Sequence, residues 1–188
     1  MMNSQTLLDL ASILLGLVVV GQFTWAMRFH FTTEKMPPAA KMISVISIAM
    51  IALFIYLLMT RVQPVGAHVA GLLMMIGASL LFVSAIRASK KARLWYVFEG
   101  RSPNTLVTDG PYRYLRHPFY VSYLVLWSGW ALTTFSLVSI LPVMIIALVY
   151  MRAAKGEEAS IAASPLAHDY AAYKRRAGFF WPKFGSSS

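Results

Sequence analysis

Residues 119–151, FYVSYLVLWSGWALTTFSLVSILPVMIIALVYM, contain no charged side chain and no histidine. As one helix this stretch would run roughly 48 Å at ~1.5 Å per residue, well beyond the ~30 Å hydrocarbon core of a bilayer. Thr133-Thr134-Phe135-Ser136 lies near its middle, and Pro142 follows. The stretch therefore reads as a tight helical hairpin of two short membrane helices, 119–134 and 137–152.

Three further apolar segments precede it: 7–27, with Asp9 as its one charge, 42–60 and 65–86. Each is about the ~20 residues that one crossing needs. The expectation is an all-α integral membrane protein with five transmembrane helices in a single domain, 1–188. A chain of 188 residues that is 58% hydrophobic and only 13% charged fits that class and excludes an ordinary soluble domain. With five crossings, segments 28–41, 87–118 and 152–188 share one side and carry every Lys and Arg except Arg61. Four crossings would scatter those charges. The positive-inside rule puts that side in the cytoplasm, with the N-terminus outside and the C-terminus cytoplasmic. The first segment does not read as a signal peptide, because its first basic residue comes after the apolar run. The net charge of +10 is accounted for by topology and by anionic headgroups, so nucleic acid is not an expected partner. Zero cysteines exclude disulfides, thiolate metal sites and a cysteine nucleophile.

Backbone signals refine the outline. Pro37-Pro38 breaks the chain before the second helix, and 84–93 can carry the third helix past the membrane. Thr108-Asp109-Gly110-Pro111 is a strong turn signal, and Pro118 suits the first turn of the fourth helix. Beyond 152 the tail reads as an amphipathic helix with Ile161, Leu166, Tyr170 and Tyr173 on its apolar face, interrupted at Ser164-Pro165. Gly16, Gly71, Gly77 and Ala78 suggest close helix packing. Trp25, Trp95 and Trp181 read as interfacial anchors.

Three polar groups gather on the cytoplasmic side: 106–112, then Arg116-His117-Pro118-Phe119-Tyr120, then Arg152, Lys155, Glu157 and Glu158 just past the fifth helix. A helical hairpin returns the chain to the face it left, so the second and third groups are expected to be neighbours. Basic and acidic groups around one pocket suit a zwitterionic or cationic ligand, and the helix N-terminus at His117-Pro118 adds donors for an anion. Plainer roles compete: a helix cap for His117, headgroup anchoring for Arg113, Arg116 and Arg152, an aromatic belt for Tyr114, a solvated helix face for Glu157-Glu158. His30, His68 and His168 are too scattered for a metal site, and no metal is expected.

Leu106-Val107-Thr108-x-Gly110-Pro111-Tyr112, Arg116-His117-Pro118-x-Tyr120 and Glu157-Glu158-x-x-Ile161 together resemble the isoprenylcysteine carboxyl methyltransferase family and its phospholipid N-methyltransferase relatives. The resemblance covers roughly residues 100–182; the first three helices match in hydrophobicity alone. It implies an S-adenosylmethionine-dependent enzyme whose donor site is lined by Leu106, Val107, Tyr112, His117, Pro118, Tyr120 and Glu157, from segments 87–118 and 153–184. Arg152, Glu157 and Glu158 are the implied catalytic set. The family often has Arg four residues before the first Glu; here Arg152 is five before, so Arg152 and Lys155 compete as the substrate contact. Ser122 stands where the family usually has Gly, and the common Phe-Gly of the tail is replaced by Ser164-Pro165-Leu166. The acceptor implied is an amphiphilic small molecule or lipid, an isoprenylcysteine-like carboxylate or a lipid amine. The short chain is more like a prokaryotic member, which points to the bacterial inner membrane. Arg-His-Pro-x-Tyr also occurs in sterol-reductase-like proteins, so an NADPH-dependent membrane reductase is one alternative. A non-catalytic lipid-binding or scaffold protein is another.

Overall fold

Each apolar run identified above forms a helix, and the helices are longer than the apolar runs. The computed structural model describes residues 3–29, 38–90 and 106–184, with the backbone alone at 27–29 and 38–39. Its helices are α1 (Ser4–Phe29), α2 (Pro38–Thr60), α3 (Val65–Ser89), α4 (Pro118–Thr134), α5 (Ile140–Ala162) and α6 (Ala167–Arg176). Two short 3-10 turns, Gly110–Arg113 and Leu137–Ser139, precede α4 and α5. Among the described residues there is no strand, and one isolated parallel bridge joins Leu115 to Gly178. Trp95, Pro37 and most of 87–105 lie outside the described residues.

Four stretches, α1 to Ala26, α2 from Ala40, α3, and Leu137–Ala162, are long and apolar enough to cross a membrane. This makes the chain a multi-pass membrane protein. At 17 residues, or ~26 Å at ~1.5 Å per residue, α4 falls short of the others.

The fifth helix does not stop at 152. It runs on to Ala162 and carries Lys155, Glu157, Glu158 and Ile161 within it. Loss of hydrophobicity marks the edge of the membrane, not the end of the helix. Ala153, Ala154, Lys155, Glu157, Glu158 and Ala159 are all good helix formers, and no proline intervenes before Pro165. The tail expected as one amphipathic helix is therefore the last turns of α5 plus α6. Tyr170 and Tyr173 are buried on α6, and Ile161 packs against them.

The turn between α4 and α5 is made without glycine. Phe135 adopts the left-handed conformation (φ 44°, ψ 41°) and donates its N–H to the Leu132 carbonyl. That backbone costs a non-glycine residue roughly 1–2 kcal/mol. Hydroxyls satisfy the carbonyls around it: Thr133 donates to Trp130, Thr134 to Ala131 at 2.7 Å each, and Ser139 to Ser136 at 2.6 Å.

One end of the bundle gathers the start of α1, the α2–α3 turn and the α4–α5 turn. Gln5 donates to Gln63 at 2.7 Å, buried His68 meets Asp9 at 2.9 Å, and Arg61 reaches Ser136. From there α3 and α4 run antiparallel in close contact. Gly71 faces Gly129 and Thr133 near one end, and Phe82 stacks edge-on to Phe119 (5.4 Å) towards the other. The core between the helices holds Phe23, Phe54, Met75, Phe82, Trp130 and Ile146. Gly16 lies under the Trp130 indole, as its small size suggested. Gly77 does not share that role, since nothing lies within 4 Å of the position a Cβ would take.

A methyl group at Gly129 would sit 2.8 Å from the Met74 Cβ and 2.9 Å from the Gly71 carbonyl oxygen. Gly129→Ala is expected to destabilise the bundle by about 1–3 kcal/mol through overpacking. Gly77→Ala should leave stability within about 0.5 kcal/mol. Denaturant unfolding in detergent distinguishes the two.

Candidate active site

At the end of the bundle opposite the α4–α5 turn, Gly110 opens the approach to α4. Its φ of +58° and the 3.0 Å that a Cβ would leave to the Ala88 Cβ both require glycine. The 3-10 turn that follows buries Tyr112. Tyr173 of α6 donates its hydroxyl to the Tyr112 carbonyl at 2.6 Å and to that of Leu115 at 3.2 Å, locking the turn to α6. Pro118 then starts α4, where its missing N–H costs nothing. His117 occupies the N-cap position, yet its ring makes no capping bond. The ring turns to α5 instead.

There it meets both glutamates. His117 Nδ1 lies 3.5 Å from Glu157 Oε2, and Nε2 lies 3.2 Å from Glu158 Oε1. Tyr120, one turn on from His117, donates its hydroxyl to Glu157 Oε1 at 2.5 Å. Arg116 Nε donates to Glu158 Oε1 at 2.7 Å, and Lys174 of α6 sits 3.0 Å from Glu158 Oε2. The Arg-His-Pro-x-Tyr segment and the Glu-Glu pair, some 40 residues apart, thus form one network. It depends on the extra turns of α5, because a helix ending at 152 would leave both glutamates on a loop.

A carboxylate faces each ring nitrogen of His117, an arrangement that suits the doubly protonated imidazolium. Burial opposes that charge, but the hydrogen bonds and negative charges of Glu157 and Glu158 outweigh it and raise the His117 pKa above its ordinary 6.5. For Glu158, beyond the apolar part of α5, burial alone would raise the pKa. The bonds from His117, Lys174 and Arg116 win, and hold its carboxyl well below the usual carboxylate range. Glu158 is thereby saturated by cations. Glu157 is engaged less fully, and its side chain stays 20% exposed. Of the two it has more capacity left for a ligand.

Several site residues were not anticipated. Lys174 is one. Phe179 and Phe180 are others: Phe179 stands edge-on to His117 at 5.0 Å, and Phe180 lies 6.2 Å from the Tyr120 ring. The Arg116 guanidinium lies over Phe179 at 5.5 Å. The sequence signal was Gly178 ahead of the Phe-Phe pair, which marks a turn bringing the tail back. Arg116 itself, read evenly as anchor or ligand, is a structural member of the network.

Other expected site residues lie apart from this network. Leu106 packs against Tyr170 and Tyr173, and Val107 is half-buried beside it in chain. Arg152 is exposed, about 200° around α5 from Tyr150 and from Ala154, which are buried. It continues the exposed stripe Leu141, Ile145, Leu148. The expectation that Arg152 neighbours Arg116-His117 is therefore not met, whereas Glu157 and Glu158 meet it. Lys155 is exposed as well. Among the described residues no group of three or more His, Asp or Glu side chains is placed to hold a metal ion.

Two of the elements that carry this network, α4 with its approach and α5, fall within a family match; α6, which adds Lys174, lies beyond it. Residues 67–164 match the phospholipid methyltransferase family, and the chain belongs to that family of membrane methyltransferases. The match takes in α3, which hydrophobicity alone had linked to the family, and stops before α6. The chain is also 36% identical over 124 residues to the cobalt-zinc-cadmium resistance protein CzcN of Cupriavidus metallidurans. That alignment covers 63% of this chain and 53% of the relative, so the chain spans about half the length of the curated relative it matches.

With its pKa raised above 6.5, His117 stabilises the folded state fully below about pH 6.5, and that contribution is lost as pH rises through the raised value. Glu158→Gln should bring the His117 pKa down. Histidine-selective NMR titration reads it directly, and a His117 pKa unmoved by the substitution would contradict the pairing.

Proposed function

We propose that this protein transfers a methyl group from S-adenosylmethionine to an amphiphilic acceptor that reaches the site from the bilayer. The observation that carries the proposal is the joining of His117 and Tyr120 to Glu157 and Glu158 within the family match. The residues suit the donor. Glu157 has a carboxylate oxygen with capacity for an ammonium or ribose hydroxyl, and the aromatic rings of Tyr120 and Phe180 suit a sulfonium cation. The family resemblance adds Leu106, Val107, Tyr112 and Pro118 to the donor side. When bound, the donor supplies an electrophilic methyl on a positively charged sulfur. The protein's task is then positioning, exclusion of water and placement of charge. An acceptor carboxylate needs no proton removed; an acceptor amine loses one, and Glu157 is the group to take it. Glu158, held by three cations, keeps His117 and Arg116 in place. Arg152 and Lys155, at the head of the stripe Leu141, Ile145 and Leu148, meet an anionic acceptor as it arrives from the lipid.

The same reading includes five crossings, with α4 as the fourth. Its antiparallel contact with α3 and the Arg61–Ser136 link support that count. So does the clustering of the basic residues 113–116 and 152–183 at the opposite end. The site is then cytoplasmic and the α4–α5 turn external.

Calorimetric titration of the detergent-purified protein tests the chemistry. S-adenosylmethionine should bind saturably, and His117→Ala and Glu157→Gln should each weaken it at least about tenfold, the loss expected of a bond to a charged group. Binding of NADPH in its place would move the protein to the reductase class. Topology has its own assay, since the chain lacks cysteine. A cysteine at Leu137 should react with an impermeant maleimide from outside intact cells, and one at Ala163 should not; the reverse pattern would reject the orientation.

A further inference from the structure

The tail beyond α6 is fixed in place by the backbone. Arg116 donates its N–H to the Gly178 carbonyl at 2.7 Å, and the N–H groups of Gly178 and Lys183 both donate to the Tyr114 carbonyl at 3.0 Å. The Arg116 guanidinium adds a bond to the Ala177 carbonyl at 2.8 Å. A Cβ at position 178 would collide with the Trp181 carbonyl, so the turn requires glycine. The inner side of this strap presents Phe179 and Phe180 to His117 and Tyr120. The outer side presents Trp181, 84% exposed, and Phe184, 79% exposed, with the Phe184 ring tilted against half-exposed Tyr114 at 5.4 Å. Arg175, Arg176 and Lys183 neighbour them in the chain and Arg113 adjoins Tyr114, all four exposed; the Lys183 ammonium donates to the Arg175 carbonyl at 2.6 Å, and residues 175–184 contain no carboxylate.

A pinned, glycine-dependent turn that holds a tryptophan outward, in a segment rich in exposed cations, has the chemistry of a surface made for the membrane interface. Indoles settle at headgroup level, and Lys and Arg near a membrane are drawn to anionic lipid. The strap sits at the level of the α4 N-terminus, beside the end of a membrane-embedded bundle, so such a surface is within its reach. We propose that Trp181, Phe184, Arg175, Arg176 and Lys183 dock on anionic lipid headgroups, and that this docking holds the strap, with Phe179 and Phe180 on its inner side, over the His117–Glu157–Glu158 cluster. The strap links lipid charge to the site through a single short segment. This does not depend on which reaction the site performs.

The test uses the full chain in nanodiscs of phosphatidylcholine alone and of phosphatidylcholine with phosphatidylglycerol, read by amide hydrogen exchange without substrate. Amides of 177–184 should exchange about tenfold more slowly in the anionic discs, and added salt should reduce the difference. Arg175→Gln with Arg176→Gln should abolish the dependence on phosphatidylglycerol. Trp181→Ser with Phe184→Ser should speed exchange in both discs. Unchanged exchange in α3 and α4 shows that each variant is folded. Equal exchange of 177–184 in the two discs for the unmodified protein would overturn the proposal. So would a lipid dependence that survives the arginine substitutions, which would assign the protection to something other than headgroup charge.

Discussion

A charge at the edge of a bilayer must be hydrated or paired, and in this protein Glu158 is paired three ways. Arg116, His117 and Lys174 come from the approach to α4 and from α6, and all converge on one carboxylate carried by α5. Removing any one partner from such a cluster leaves a poorly solvated charge, which is why paired ions of this kind fix geometry more than they add stability. The geometry fixed here is the mouth of the bundle. With Glu158 in place, His117 turns from the helix end to face Glu157, Tyr120 reaches the same side chain, and the tail is drawn across Arg116.

The scaffold under this cluster is shaped by small residues and hydroxyls in place of strong local signals. Gly71 and Gly129 let α3 and α4 touch backbone to backbone, and Gly16 admits the Trp130 indole. In lipid, where helices gain little from hydrophobic burial against one another, close packing of this kind supplies much of the association. The two tight ends follow the same economy. Gly110 makes the turn into α4 against α3, while the turn out of α4 uses Phe135 with three nearby hydroxyls.

Much of this was legible in the chain. Uncharged runs located the helices, because exclusion of charge from lipid is a strong constraint, and Pro118 and Gly110 marked the start of α4 by backbone chemistry alone. The Glu-Glu pair was correctly expected beside His117. What sequence reading missed lay where hydrophobicity stops reporting. The true end of α5 is written in helix propensity, not in apolar content. Arg152 was placed by proximity in sequence to Glu157, whereas helical phase, five residues or about 500°, turns it away. Lys174, Phe179 and Phe180 depend on a tail folding back, a long-range event with only Gly178 as its local sign.

The link between Asp9 and His68 also sets an order of assembly. α1 packs chiefly on α3 and little on α2, through Asp9–His68, Gln22–Ser79 and Phe23–Phe82. Its polar partners therefore leave the ribosome 57 to 59 residues after it does. At ~5–20 residues per second that is a wait of several seconds, with a carboxylate already at the membrane. Asp9 lies in the second turn of α1, close enough to the helix end to remain among headgroups until His68 arrives. A charge nearer the middle of α1 would have had to wait unpaired in the hydrocarbon core.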